Sequence, residues 1–457
     1  MTTTSSARGD DGGDRGAATG TPGSWRLAAA AGLGGGLALG LRSSGRGVSR
    51  HLVTAISAGL LASVPAIIAA ARRPPIAPRP QDRVADDALP TITVLVAARD
   101  EAAVIERLVE DVAAQDHRTP DGRPRFELIV IDDRSTDGTG QAALRAAAKA
   151  GIGDVTRFVR RGGEDLADGK GAALTAVPPE ECRGDVITVL DADARIGPSF
   201  LRTLGGYVAA GASAVTPRRR VLDAGSSELA GAQADEQTVD GLIERGRWAL
   251  GGCSEFRGNG ITLRRDLLAA VGGWRASALT EDLDLSSRIA VATGTTVAWA
   301  LDAEAWEEPV GEPEALWRQR TRWAEGALRR LFEHGPAVLR SERLGPIARA
   351  DFAAYAGQLA LPPYVIGVVV GSLLRDRPGP ALRLVGAYAV AGLGLGWAAL
   401  GWETDPAGDP LPVADRARRA VRVTLFGGLW LAAVPAALWR LATAKGPVRY
   451  EKMSHGA

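Results

Sequence analysis

Two runs of β-branched apolar residues end in carboxylates, and this pairing constrains the fold more than any other feature of the chain. Leu128-Ile129-Val130-Ile131 runs into Asp132-Asp133, and Val186-Ile187-Thr188-Val189-Leu190 runs into Asp191-Ala192-Asp193. Short runs of this kind read as buried strands of a parallel sheet. A carboxylate at the carboxyl end of such a strand lies in the crevice where α/β sheets bind ligands. A third run, Thr91-Ile92-Thr93-Val94-Leu95-Val96, turns into a helix through Ala97-Ala98-Arg99-Asp100-Glu101. From Thr91 to about Glu333, such runs alternate with segments of helical period. That alternation predicts βαβ units and a mostly parallel sheet.

Long apolar segments flank this unit. Leu52–Ala71 is 20 residues without a charge, followed by Arg72-Arg73, and reads as a spanning helix. Leu27–Leu41 is short and glycine-rich, so it either spans or lies at the interface. Phe352–Leu374, Leu384–Trp402 and Val421–Leu441 are each long enough to span, and Pro362-Pro363 predicts a break in the first. The alternative is a set of buried helices in a soluble domain. The expected organisation is a disordered tail over residues 1–24, one or two transmembrane or interfacial helices over 25–73, and a linker over 74–90. The α/β domain follows over 91–335, then about three more transmembrane or interfacial helices over 336–441 and a short tail over 442–457.

Arg72, Arg73, Arg79 and Arg83 place the α/β unit on the cytoplasmic side of a cell membrane by the positive-inside bias. The arginines at 42, 46 and 50, and at 375, 377 and 383, pull the other way if every segment spans. With 54 basic and 53 acidic residues the formal charge is +1, which gives no general pull toward nucleic acid. Two cysteines, Cys182 and Cys253, exclude a disulfide framework, and four scattered histidines argue against zinc.

Two further motifs complete an ordered set: Thr280-Glu281-Asp282, and Gln319-Arg320-Thr321-Arg322-Trp323. Together with Asp132-Asp133 and Asp191-Ala192-Asp193, they resemble the membrane-embedded family-2 glycosyltransferases over roughly residues 90–335. The resemblance implies a GT-A-type, Rossmann-like mixed sheet, a nucleotide-diphospho-sugar donor, a divalent cation and inverting transfer. It departs from the family pattern at Ala97 and Asp100, where Pro-x-Arg-Asn-Glu is usual.

The resemblance also suggests roles. Arg99 and Glu101 would hold the nucleotide, and Asp133, with Asp132 beside it, would accept from the uracil imide and so favour a UDP-sugar. Asp191 and Asp193 would bind Mg²⁺ or Mn²⁺ with the diphosphate, since hard cations take oxygen ligands. Lys170, in a glycine-containing loop before a helix, suits a phosphate edge. Asp282 would be the general base. Gln319, Arg322 and Trp323 share one helix face, suited to a diphosphate clamp beside a stacking ring. Arg318, Arg320, Arg329 and Arg330 would meet lipid headgroups. Trp274 either stacks on a sugar or fills the core. The expected acceptor is a membrane lipid, with carotenoid-like acceptors included. A growing glycan of the hyaluronan, chitin or cellulose type is the main alternative. A nucleotidyltransferase and an inactive membrane scaffold are the others.

Overall fold

A computed structural model of the chain describes residues 22–45, 47, 50–73, 84–162, 167–405 and 407–443. Its centre is an eight-stranded sheet: β1 Ile92–Ala98, β2 Phe126–Asp133, β3 Thr156–Arg161, β4 Val186–Asp191, β5 Arg195–Ile196, β6 Ala214–Val221, β7 Ile261–Arg264 and β8 Ala298–Glu307. The strands lie in the order β3-β2-β1-β4-β7-β6-β8-β5. The first four are parallel. β7 runs antiparallel to both β4 and β6, and β5 to β8, while β6 and β8 are parallel, so the sheet is mixed, as the resemblance implied. Every residue of β2 is buried, as expected for a strand covered on both faces.

Register brings the acids to one edge. Ala97 of β1 lies beside Asp191, and Ala98 lies beside Asp132. One face of the sheet packs on α3 (Ile105–Ala113), α4 (Thr139–Lys149) and α6 (Phe200–Ala209). The other packs on α5 (Lys170–Leu174), α8 (Arg265–Ala270) and α9 (Glu281–Thr293), and Trp274 is buried in this second core, so it fills the interior.

The remaining helices are α1 (Pro22–Ser43), α2 (Arg50–Ala71), α7 (Glu228–Ala249), α10 (Pro313–Arg340), α11 (Pro346–Gly357), α12 (Leu361–Leu374), α13 (Pro378–Leu400), α14 (Val413–Gly427) and α15 (Leu429–Thr443). Four stretches, Arg50–Ala71, Pro346–Leu374, Pro378–Leu400 and Val413–Thr443, are long and apolar enough to cross a membrane. Only 11% of the most apolar window of α2 is buried, which rules out an ordinary soluble core helix. The break expected at Pro362-Pro363 is a 3₁₀ turn over Gln358–Ala360, directly before the prolines that open α12.

Several boundaries differ from the sequence-based expectation. The tail expected over 1–24 lies outside the described residues as far as residue 21, and Ser24 already belongs to α1. The linker falls outside them over 74–83, and a 3₁₀ turn occupies Asp86–Ala88. The C-terminal tail falls outside them from residue 444. Gly36 and Gly40 of α1 form a packing seam with α12, because a Cβ at Gly40 would stand 2.2 Å from the Tyr364 carbonyl and one at Gly36 2.8 Å from Pro363. α14 begins eight residues earlier than the apolar pattern suggests. Its first half is arginine-rich, and Arg419 and Arg422 clasp Asp235 of α7, both at 2.7 Å.

Candidate active site

The loops after β1 and β2 are stapled to each other before any ligand arrives. The Asp100 amide donates to Ser135 Oγ (2.9 Å), the Thr136 amide to Asp100 Oδ1 (2.7 Å), and the Ala102 amide to Asp137 Oδ2 (3.0 Å). Asp100 and Arg134 hold φ of 51° and 63°. Non-glycine residues rarely adopt that left-handed region, and it clusters at functional loops. Asp137 therefore ties the loops together, and α4 is capped by Gly138 rather than by a side chain.

A cavity of about 1840 Å³ opens at these strand ends. Arg99, Glu101, Asp133, Lys170, Asp191 and Asp193 line its sheet side. Asp282, Gln319, Arg322 and Trp323 line the helical side. Asp132 is not among the lining residues; its carboxylate accepts from the Ser135 amide (2.9 Å) and so shapes the loop. The structure thus separates the two neighbouring aspartates. Asp133 is gripped by the buried Arg161 (2.7 Å) and by Arg134 (3.0 Å). Arg134 and Arg99 share Asp168, at 2.7 and 3.0 Å.

Like charges crowd the sheet side. Burial, then Asp191, Glu307 and Glu101, push the Asp193 carboxyl up to about 8. Lys170 is no solvated lysine: it donates to Asp191 Oδ1 (2.5 Å) and to the Gly258 carbonyl (2.8 Å), and it lies 3.5 Å from Glu281. Burial lowers its affinity for a proton, but the surrounding carboxylates prevail and hold it well above its ordinary value. Arg219 joins them, salt-bridged to Glu307 (2.5 Å) and lying over the Trp323 ring at 5.4 Å.

Asp282 sits in the first turn of α9. Burial raises its carboxyl, partly offset by the Leu283 amide and by Lys170. Its neighbour Glu281 is pushed up to about 7, by burial first. Two glycines fix this corner. A Cβ at Gly326 of α10 would collide with Thr280 at 2.3 Å, and a Cβ at Gly258 (φ 83°) would stand 3.7 Å from Asp282 Oδ2. α10 can therefore pack directly on the turn that carries Asp282, and the β7 loop can approach it closely.

Two expectations about α10 change. Arg320 and Arg330 do not face lipid headgroups. Arg320 is 3% exposed and salt-bridged to Glu236 (2.5 Å), and Arg330 is buried against Glu255 (2.6 Å). Arg329 pairs with Glu325 (2.6 Å), and Arg318 lines the cavity. The Trp323 ring has guanidinium groups over it, Arg320 at 4.3 Å as well as Arg219.

Asp284, Glu333 and His334 form a compact three-ligand group. Arg275 already lies 2.9 Å from Asp284 and 2.7 Å from Glu333, and Arg288 lies 2.8 Å from Asp284. Two guanidinium groups therefore supply the positive charge a metal would bring. Around Asp191 and Asp193 the acids outnumber the cations: Lys170 and Arg219 pair with Asp191 and Glu307, but Asp193 and Glu101 add further carboxylate oxygens, and this excess of hard donors fits a divalent cation better.

The sequence reading missed Arg219, Glu307 and Glu236. The signal for Arg219 was the run Arg218-Arg219-Arg220 on a strand, where side chains alternate between faces. Arg218 and Arg220 turn to Glu403, and Arg219 turns to the cavity. Glu307 and Glu236 had no local motif to mark them.

Residues 90–326 match the family described as glycosyltransferase like family 2. The chain is 31% identical over 328 residues to a beta-monoglucosyldiacylglycerol synthase of Nostoc sp., covering 70% of this chain and 67% of that one. A poly-beta-1,6-N-acetyl-D-glucosamine synthase of Staphylococcus aureus is 24% identical over 263 residues, 56% of this chain and 59% of that one. In structure, a Pyrobaculum calidifontis mannosyltransferase solved with GDP-mannose and Mn²⁺ superimposes with a TM-score of 0.56 at 21% identity, covering 86% of this chain and all of that one. That likeness shows a GT-A-type fold. The chain is a glycosyltransferase and belongs to family 2.

Proposed function

We propose that this enzyme is a membrane-bound inverting glycosyltransferase that moves a hexose from a UDP-sugar to a hydroxyl of a membrane lipid. The observation that carries the reading is the continuity of one cavity, which runs from the acidic strand ends to the apolar faces of α2, α13 and α15. The Nostoc relative's name, a monoglucosyldiacylglycerol synthase, supports a lipid of this class. The catalytic domain spans about residues 91–335 and faces the cytoplasm, where nucleotide sugars are made.

Asp133, fixed by Arg134 and Arg161, faces the space for a base, with Arg99 and Glu101 beside it. Asp191 and Asp193 would hold Mg²⁺ or Mn²⁺ against the diphosphate, and the bound cation would offset the charge that builds on the departing UDP. Lys170 and Arg219 add positive charge at the same edge, and Gln319 and Arg322 face it from α10. Asp282 takes the proton of the acceptor hydroxyl as its oxygen bonds to the anomeric carbon. The bond from that carbon to the diphosphate oxygen breaks, and its electron pair leaves with UDP. Attack opposite the leaving group inverts the anomeric centre. A raised Asp282 carboxyl suits a base that works near neutral pH.

The test is the full chain in vesicles containing diacylglycerol, supplied with UDP-glucose and Mg²⁺ or Mn²⁺ and read by mass spectrometry. A monohexosyl lipid is the expected product. A polymer without glycolipid overturns the lipid reading in favour of a polysaccharide synthase, and no product with a range of UDP-sugars overturns the UDP-sugar donor.

A further inference from the structure

The cavity has two chemically distinct halves, and the reaction uses only one. Beyond the acidic strand ends, its wall is mainly apolar: Ile56, Leu60 and Ile67 of α2, Leu384 and Leu395 of α13, and Val434 of α15, while the Ser63 and Thr424 hydroxyls on it donate to carbonyls of their own helices. The cavity face of α2 extends from Ile56 to Ala70, fourteen steps along the helix. At 1.5 Å per residue that is roughly 21 Å, longer than one leaflet of a hydrocarbon core about 30 Å thick. At the boundary between the halves, Glu236 of α7 accepts from Arg320 of α10 (2.5 Å) and from Trp430 of α15 (2.8 Å). All three residues line the cavity.

We infer that the apolar half is an acyl-chain chamber, which holds a hydrocarbon chain of the acceptor while the acceptor hydroxyl lies at Asp282. This deepens the function proposed above and rests on it. An amphiphile matches the wall group by group. Its polar end meets the carboxylates and guanidinium groups, its chain meets α2, α13 and α15, and the Glu236–Arg320–Trp430 cluster marks where polarity changes. A hydrophilic glycan would leave this wall uncovered by anything of its own polarity. The chamber makes acceptor choice a matter of chain length as well as of headgroup.

Gly59 provides the test. It lines the chamber, and a Cβ placed on it would meet no heavy atom within 4 Å. Gly59 is exposed, so a larger side chain there has room at the edge of the chamber without displacing protein. Ala58, as exposed as Gly59 but not on the cavity wall, is the control on the same helix. The full chain in detergent–lipid micelles would be assayed with UDP-glucose and with diacylglycerols of short and long chains. In the order Gly59→Ala, Gly59→Val, Gly59→Phe, kcat/KM for the long-chain acceptor should fall relative to the short-chain one. The Phe variant should lose about tenfold or more in that ratio, the scale of steric discrimination in apolar pockets. UDP affinity should stay at the wild-type value, and Ala58→Phe should keep the wild-type ratio. An unchanged ratio in Gly59→Phe, or the same loss in Ala58→Phe, overturns the chamber and leaves the lipid transferase standing. A wild-type protein that makes no glycolipid overturns both.

Discussion

Asp193, half-buried just past the end of β4, and Asp284, buried in the first turn of α9, are driven apart by their surroundings. Burial and the carboxylates of Asp191, Glu307 and Glu101 push Asp193 up to about 8. Burial also acts to raise Asp284, but the hydrogen bond to His334 and the charges of Arg288 and Arg275 overcome it and hold the group at about 2. In the first region Lys170 and Arg219 pair with Asp191 and Glu307, but the carboxylates outnumber them and Asp193 is left facing mostly like charge; the second region alternates charge. A gathering of like charge in a buried site is costly unless something positive arrives. The alternating region completes itself with guanidinium groups. Burial of acids therefore does not by itself mark a site. The sign of their neighbours does.

The largest expected effect follows from that contrast. Excess EDTA should abolish transfer, and Mg²⁺ or Mn²⁺ should restore it, while the alternating region around Asp284 stays folded. Circular dichroism and a transfer assay on the same samples check both halves. Full activity in EDTA would mean that Lys170 and Arg219 supply the needed charge alone.

Next is Asp282→Asn. Removing the base while keeping the shape should cut turnover about 10²- to 10⁴-fold and leave UDP-sugar affinity intact. Single-turnover kinetics and calorimetry separate the two. A loss of affinity with an unchanged chemical step would place Asp282 in the donor site.

The two aspartates should then respond oppositely to neutralisation. Asp284→Asn leaves Arg275 and Arg288 with less compensation and should destabilise the fold by about 3 kcal/mol, the scale for breaking a buried ion pair. Asp193→Asn should raise the melting temperature of the metal-free protein at pH 8. The reason lies in the direction of the shift. A carboxyl raised in the folded state gives stability that is present below its unfolded pKa and lost as pH rises through about 8. The amide abolishes that loss. For Asp284, lowered in the fold, stability is present above the unfolded value and lost as pH falls through about 2.

How much of this was legible in sequence follows from what local pattern encodes. The strands at Leu128–Ile131 and Val186–Leu190 were visible because buried strands are apolar without interruption, and their acids mark the strand ends. The break at Pro362-Pro363 was visible because proline cannot continue a helix. The buried fate of Arg320 and Arg330 was not, because their partners Glu236 and Glu255 lie 84 and 75 positions away in the chain (320 − 236 and 330 − 255). An arginine-rich helix beside apolar segments looks the same whether it meets headgroups or buried acids. Asp132 and Asp133 could not be told apart until register turned one to the cavity and the other to the Ser135 amide.

A smaller effect concerns pH. With Glu281 pushed up to about 7 and Asp282 raised beside it, kcat/KM should climb as pH rises through about 7 rather than near the usual carboxylate range. A profile flat from pH 5 to 8 would show that neither group titrates in the step measured.

The smallest expected effect on stability belongs to Asp168, and it tests whether charge alternation at the rim has the same meaning as in the interior. Asp168 bonds both Arg99 and Arg134, but its side chain is 39% exposed. Half-exposed ion pairs contribute about 0–1 kcal/mol because water screens them. Asp168→Asn should therefore barely move the melting temperature. Arg99 faces the cavity, and Arg134 grips Asp133, so losing their shared anchor loosens two groups placed for the nucleotide. The KM for the UDP-sugar should rise severalfold with kcat little changed, since this would remove binding common to ground and transition states. If stability falls sharply and KM does not move, the rim pairs are part of the scaffold like those around Asp284, and the nucleotide lies elsewhere in the cavity.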